Sequence, residues 1–221
     1  MKLAVVILSY KRPKNIAKVV GSVLKSEYKP NNIYVFNNNP EIDLKVKGAT
    51  VINSGENFGC RVRHALALVI DATHFLFLDD DLVIETKTIG NFVNYAKKYP
   101  DHVLGYFGVR LTKGDYPYTQ GKRINYRSIR KKELVDIVLG RIHFCDKEAI
   151  ETSFFGKTET KEDDIILSLL NWASVIPAIK DGGIIDLPER GVGNWKRPNH
   201  WHLRNEACLE LDFDDEGEEW Q

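Results

Sequence analysis

Cysteine is scarce in this chain of 221 residues: Cys60, Cys145 and Cys208 are the only three, widely separated and odd in number. Neither a disulfide framework nor a paired-cysteine zinc site is built that way, and the usage suits a reducing, cytoplasmic setting. Long apolar runs are missing too, since none approaches the roughly 20 residues that span a bilayer. The stretch Met1 to Leu8 has the look of a signal-peptide core, but it passes into Ser9-Tyr10-Lys11-Arg12 with no small-residue cleavage site, so it reads as a first strand. Nor does either sign of charge dominate, with 31 Lys and Arg against 31 Asp and Glu. The balance hides an asymmetry: residues 206–221 hold eight acids and no Lys or Arg, which leaves the preceding residues at +8. That excess suits an anionic small molecule, and it is too dispersed for a nucleic-acid stripe. A glycine-rich dinucleotide fingerprint and a P-loop are both absent after the first strand, so phosphate must be neutralised by other means.

What is present is alternation. Leu3–Leu8 forms a continuous apolar run, Pro13 then opens a helix, and Ile16, Val19, Val20, Val23 and Leu24 recur at helical spacing. Strands follow at Asn32–Phe36 and Ala49–Asn53, a helix between Arg61 and Asp71, and a strand His74–Leu78. Beyond it come a helix around Ile89–Ala96, one strand over Val103–Leu111, a loop or mobile hairpin over 112–132, and one strand over Leu134–Leu139. A short helical turn at Asp146–Glu151, a helix over Lys161–Trp172 and strands at Ser174–Ile179 and Gly183–Leu187 complete the pattern. Strand–helix alternation of this kind predicts an α/β fold: a mainly parallel twisted sheet with helices on both faces and a small appended subdomain. The length suits one domain over 1–205, with 1–111 as a ligand-binding half, 112–205 as a catalytic half, and 206–221 as an acidic tail or linker.

The strongest chemical signal is His74-Phe75-Leu76-Phe77-Leu78-Asp79-Asp80-Asp81, an unalternating apolar strand that ends in three carboxylates. Acids crowded at a strand tip repel one another, so a hard divalent cation is their natural complement. Strand geometry sends Asp79 and Asp81 to one side and Asp80 to the other. In a doubly wound sheet the tips at Ser9-Tyr10-Lys11-Arg12 and Asn37-Asn38-Asn39 open onto the same crevice. There Tyr10 and an Asn amide suit a base, and Arg12 or Lys11 a phosphate, while the plainer reading is that Ser, Asn and Pro make turns. Arg61 and Arg63 precede the acidic strand on a helix. Lys161-Glu162-Asp163-Asp164 offers a general base, or ordinary helix capping. His200 and His202 offer imidazoles.

Together these pieces resemble the glycosyltransferases of the GT-A fold, especially the large inverting family of polysaccharide synthases. The resemblance rests on Val5-Val6-Ile7-Leu8-Ser9-Tyr10-Lys11-Arg12-Pro13, Val35-Phe36-Asn37-Asn38, Glu56-Asn57-Phe58-Gly59 with Arg63, Leu78-Asp79-Asp80-Asp81, and Asp163-Asp164-Ile165-Ile166-Leu167-Ser168-Leu169, in that order. It implies a nucleotide-sugar site of Ser9, Tyr10, Arg12, Asn37, Arg63, Asp79 and Asp80. It also implies a D-x-D element in which Asp81, helped by Asp79, binds Mn²⁺ or Mg²⁺, and a tail His, His200 or His202, on the metal. The catalytic base falls among Glu162, Asp163 and Asp164, with Asp164 favoured by the register of Leu167-Ser168-Leu169. The implied reaction is transfer of a hexose or deoxyhexose from a nucleoside diphosphate, UDP first among them, to an oligosaccharide or glycoprotein glycan hydroxyl. Residues 112–132 and 190–204 would close over the reactants. The short chain resembles a stand-alone domain, or one cut from a multi-domain enzyme of the kind that large algal viruses encode for capsid glycans. Two other activities stay open from the residues alone: a sugar-phosphate nucleotidyltransferase, and a non-catalytic nucleotide-sugar-binding module.

Overall fold

The computed structural model describes residues 1–155, 162–188 and 196–211. Its centre is β1 (Leu3–Ser9), buried at every position. This strand runs parallel to β2 (Asn32–Asn37) on one side and β4 (His74–Asp79) on the other. A strand so flanked and covered on both faces has no water side, hence the absence of alternation in its sequence. The β1–β2 crossover is α1 (Pro13–Lys25), with Pro13 at its first turn, where a missing N–H costs nothing. Ile16, Val19, Val20 and Val23 form its buried stripe. β3 (Thr50–Asn53) extends the sheet in parallel beyond β2, and α2 (Val62–Val69) leads back to β4. Because β2 lies to one side of β1 and β4 to the other, the chain reverses direction across the sheet at β1/β4, which is where open α/β sheets place their ligands.

The rest of the chain comprises β5 (Leu82–Ile84), α3 (Thr88–Lys98), β6 (His102–Gly105), β7 (Phe107–Arg110), β8 (Lys122–Asn125), β9 (Glu133–Val135) and β10 (Ile137–Val138). Then come β11 (Ile142–Asp146), α4 (Lys147–Phe155), α5 (Asp163–Leu169), β12 (Trp172–Val175), β13 (Ile184–Asp186) and α6 (His200–Glu210). The main sheet has eight strands in the order β3-β2-β1-β4-β11-β6-β12-β9, in which β11 and β9 run against the rest. A three-stranded sheet, β10-β7-β8, and a two-stranded one, β13-β5, lie beside it.

Two expected strands are each split between sheets. The run 103–111 breaks at the buried Tyr106 into β6 of the main sheet and β7 of the small one. The run 134–139 breaks at Asp136 into β9 and β10 in the same way. The cause is a close crossing of the two sheets: a Cβ on Gly105 would lie 2.2 Å from Val138 Cγ1, and one on Gly108 2.7 Å from Val175 Cγ2. Asp136 seals the crossing, its backbone N–H donating to the Val109 carbonyl (3.1 Å) and its carboxylate accepting from the Leu111 N–H (2.7 Å). Asp146–Glu151 is more than a turn, since α4 continues to Phe155. β11, not foreseen from the sequence, inserts antiparallel between β4 and β6. The expected tail boundary at 205/206 falls inside α6, whose Ala207 and Cys208 are buried. Residues 212–221 of that tail lie outside the described residues. A second small core joins the accessory sheet to α5 and α6 through Val109, Tyr118, Ile137, Ile165, Ala207 and Cys208.

Candidate functional site

β4 delivers Asp79, Asp80 and Asp81 to the β1/β4 reversal point. Asp80 turns inward: it accepts from the Tyr10 N–H (2.8 Å) and pairs with Arg12, tying the two strand tips together. Arg12 also reaches Asp81 at 3.2 Å. Asp79 and Asp81 stay more open, with 34% and 15% side-chain exposure against 4% for Asp80. Burial pushes the Asp79 carboxyl up to about 7 against the pull of Arg63, and Asp81, Asp80 and Asp163 push the same way. Asp80 is pushed up to about 6 by burial, which Arg12 only partly offsets. Burial thus holds Asp79 and Asp80 above the ordinary carboxyl range despite the two arginines beside them.

A second acid group opens α5 and is organised by arginines distant in sequence. Arg63 on α2, 2% exposed, bonds Asp163 through Nε (2.6 Å), and through Nη1 it reaches Asp79 (3.1 Å) and the Gly140 carbonyl (2.8 Å). Arg204 on α6 grips both oxygens of Asp164 at 2.9 Å and adds Glu162 at 2.9 Å, while Arg197 also pairs with Glu162. Asp164 further accepts from the Gly140 N–H (3.0 Å) and the Ile165 N–H (3.1 Å). Four hydrogen bonds saturate a carboxylate. Asp163 accepts on Oδ2 alone among the described residues, which leaves Oδ1 for chemistry. Burial acts to raise both carboxyls, yet Arg63 holds Asp163, and Arg204 holds Asp164, below the usual range.

Gly140 is the hinge of this arrangement, its N–H on one acid and its carbonyl on the arginine of the other. A Cβ there would lie 2.5 Å from Arg63 Nη2. Behind Arg63, His64 and His143 are buried with their Nε2 atoms 3.2 Å apart. Burial lowers His64 to about 4 and lowers His143 well below the ordinary imidazole value.

Not every expected residue is placed for its expected contact. The Asn37 amide nitrogen is spent within its own turn, on the Asn39 carbonyl (3.2 Å), the Ile42 carbonyl (2.7 Å) and Asn53 Oδ1 (2.8 Å). That amide therefore makes the turn, the plainer of the two roles the sequence offered. Ser9 is buried and its carbonyl anchors Asn38 (2.8 Å). Tyr10 is half-buried at the crevice, with Lys11 Nζ 5.2 Å from its ring centroid. Burial first, then the positive charges of Arg204, Arg197 and Arg123, lower His200 to about 4 against the opposing pull of Asp164. His200 thus stands with the second acid group, and its Nδ1 has no hydrogen-bond partner among the described residues. His202 is exposed and lies 3.1 Å from Glu206 on the same helix. Sequence reasoning missed Gly140, Arg197 and Arg204; their only local trace is basic residues beside the His-rich segment.

The family model of glycosyl transferase family 2 matches residues 4–149, and the chain belongs to that family. No curated protein matches the chain. The match spans β1 through the start of α4, so it includes both strand tips, the acidic triplet and Arg63. Members of the family take sugars from nucleotide-sugar donors to glycan acceptors, and the mixed sheet with its reversal point is the GT-A architecture. Among the described residues no helix is long and apolar enough to cross a membrane.

Proposed function

We propose that the protein is a metal-dependent, inverting glycosyltransferase that moves a hexose or deoxyhexose from a nucleoside diphosphate to a glycan hydroxyl. The observation that carries this reading is Arg63, whose single guanidinium touches Asp79 at 3.1 Å and Asp163 at 2.6 Å. It sets a leaving-group site and a base site side by side, as a single displacement requires. The acceptor oxygen attacks the anomeric carbon, the bond to the diphosphate breaks with its electrons leaving on phosphate oxygen, and Asp163 Oδ1 receives the acceptor proton. Attack opposite the leaving group inverts the centre. Asp163 is preferred over Asp164, favoured by register alone, because the Asp164 oxygens are saturated.

The donor set fits a hard cation. Among the described residues no three His, Cys, Asp or Glu side chains gather to hold one, so the protein offers two carboxylates, Asp79 and Asp81, beside the arginines. That is the manner in which Mg²⁺ or Mn²⁺ is held jointly by one or two carboxylates and substrate phosphates. Bound there, such an ion would offset charge that grows on the departing diphosphate. Tyr10 borders the base, and Arg12 braces Asp80 and Asp81 from behind. Thermal shift with a panel of UDP-linked and other nucleotide sugars, with and without Mn²⁺, tests the reading, since a ligand that binds only the native state stabilises it. Stabilisation that needs both donor and metal and disappears in Asp81→Ala is expected. Equal stabilisation by donor without metal would overturn the metal, and pyrophosphate release from nucleoside triphosphate would favour a nucleotidyltransferase.

A further inference from the structure

Beside the second acid group lies a feature the transfer chemistry does not use. Arg123 on β8 is exposed and forms no ion pair among the described residues, yet it is held in place by aromatic rings. Its guanidinium lies 4.3 Å from the Tyr118 ring centroid and 5.8 Å from that of Trp201, and it donates to the Tyr118 carbonyl at 3.3 Å. The same Tyr118 ring lies 4.3 Å from the guanidinium of Arg204, which holds Asp164. A continuous stack therefore leads from the catalytic acids to the surface: Arg204, Tyr118, Arg123, Trp201. It ends on an indole that is 48% exposed.

The stack is fixed rather than draped. Asn205 Oδ1 accepts from the backbone N–H groups of Tyr118 (3.0 Å) and Thr119 (3.1 Å), which clamps the hairpin to α6. Tyr118 is buried in the small core shared with α5. A merely solvated arginine needs no such support, whereas a guanidinium fork pre-set beside an aromatic face is an arrangement that takes a carboxylate or a phosphate through two parallel N–H bonds. An open indole presents a flat apolar face to the C–H side of a sugar ring.

We propose that Trp201 and Arg123 form an acceptor subsite selective for a glycan that carries an anionic group, either a uronate carboxylate or a phosphodiester. Trp201 stacks the sugar and Arg123 takes the anion, which sets the neighbouring hydroxyl toward the acids of α5. The assignment of this ligand as acceptor rests on the glycosyl-transfer reading above.

Calorimetry with three probes tests it: a glucuronate-containing tetrasaccharide, the same tetrasaccharide after carboxyl reduction, and a phosphodiester-linked oligosaccharide. At least one anionic probe should bind about tenfold or more tighter than the reduced one, the margin of a charge-assisted hydrogen bond. Arg123→Gln should erase that margin, Arg123→Lys should restore part of it, and Trp201→Ala should weaken every probe, with melting temperatures confirming that each variant folds. Equal binding of anionic and reduced probes, no binding of either anionic probe, or a margin that survives Arg123→Gln would overturn the proposal. Donor turnover is measured separately. A persisting margin without transfer from any donor sinks the catalytic reading and leaves the anion site standing, and transfer to neutral glycans without a margin sinks the anion site alone.

Discussion

Two groups of acids stand on either side of Arg63, Asp79 to Asp81 at a strand tip and Glu162 to Asp164 at a helix start, and their electrostatics are opposite. The strand tip has Arg12 and a share of Arg63, and burial drives Asp79 to about 7 and Asp80 to about 6. The helix start has the Arg63 Nε, the whole fork of Arg204 and Arg197, and Asp163 and Asp164 stay below the usual carboxyl range although both are buried. Residue type alone does not set function here. The group with less positive charge is held toward its protonated form by burial, and the group supplied with more stays ionised and oriented.

The largest effect that would break the comparison is at Asp163. Asp163→Asn should lower turnover roughly 100- to 10,000-fold, the usual weight of a positioned base, with donor affinity nearly unchanged. Steady-state kinetics beside donor calorimetry checks this. Asp164→Asn should show first in stability, and if it abolishes turnover while Asp163→Asn keeps it, the base is Asp164. Next in size is Arg204→Leu, which strips buried Asp164 of its arginine and leaves Glu162 with Arg197 alone of the two. The expected loss is about 3–5 kcal/mol in urea unfolding, and a loss under about 1 kcal/mol would mean that water already serves those carboxylates.

The strand tip was legible in the sequence because everything that defines it is local. An unalternating strand followed by three acids announces its own burial and the acid cluster at its tip, and Pro13 with the Ile16 to Val23 stripe announces the crossover that flanks it. The helix start was legible only as a cluster of acids. Its meaning comes from Arg63, a hundred residues before Asp163, and Arg204, forty residues after Asp164, and no period or motif links such positions. The same limit hid the sheet crossing. Val103–Leu111 reads as one strand because each half is apolar, and the break at Tyr106 exists only once Gly105 and Gly108 meet Val138 and Val175. At Asn37 the sequence left ligand contact and turn-making both open, and its amide nitrogen closes its own turn.

Gly140 joins the two groups, so a smaller change there should loosen both. Gly140→Ala places a methyl 2.5 Å from Arg63 Nη2 and 3.4 Å from Asp164 Cβ. Arg63 is pinned by Asp163, Asp79 and the Gly140 carbonyl and cannot swing aside without breaking a bond. A destabilisation of about 1–3 kcal/mol is expected. A neutral result in urea unfolding would show that Arg63 has room to move, and that the two groups are less tightly coupled than its contacts imply.

The smallest effect is the sharpest test, because its sign is opposite to what removing a buried ion pair ordinarily gives. The Asp79 carboxyl holds its proton to about 7 when folded but releases it near the ordinary value of 3.8 when unfolded. Between those values the native state binds the extra proton, so stability falls as pH rises and is lowest above 7. Asp79→Asn removes that dependence. In metal-free buffer at pH 8 the variant should be more stable than the parent by on the order of 1–2 kcal/mol, a figure reduced because a third of the side chain meets water. The gain should shrink to nothing as pH falls toward 4. Asp163→Asn should be destabilising at the same pH, because its carboxylate is held ionised by Arg63. Adding Mn²⁺ with a nucleoside diphosphate should reverse the order at Asp79, since the parent alone keeps the ligand that offsets its charge. Were Asp79→Asn to lose stability at pH 8 without metal, the strand tip would already be neutralised by Arg12 and Arg63, and the contrast between the two acid groups would fail.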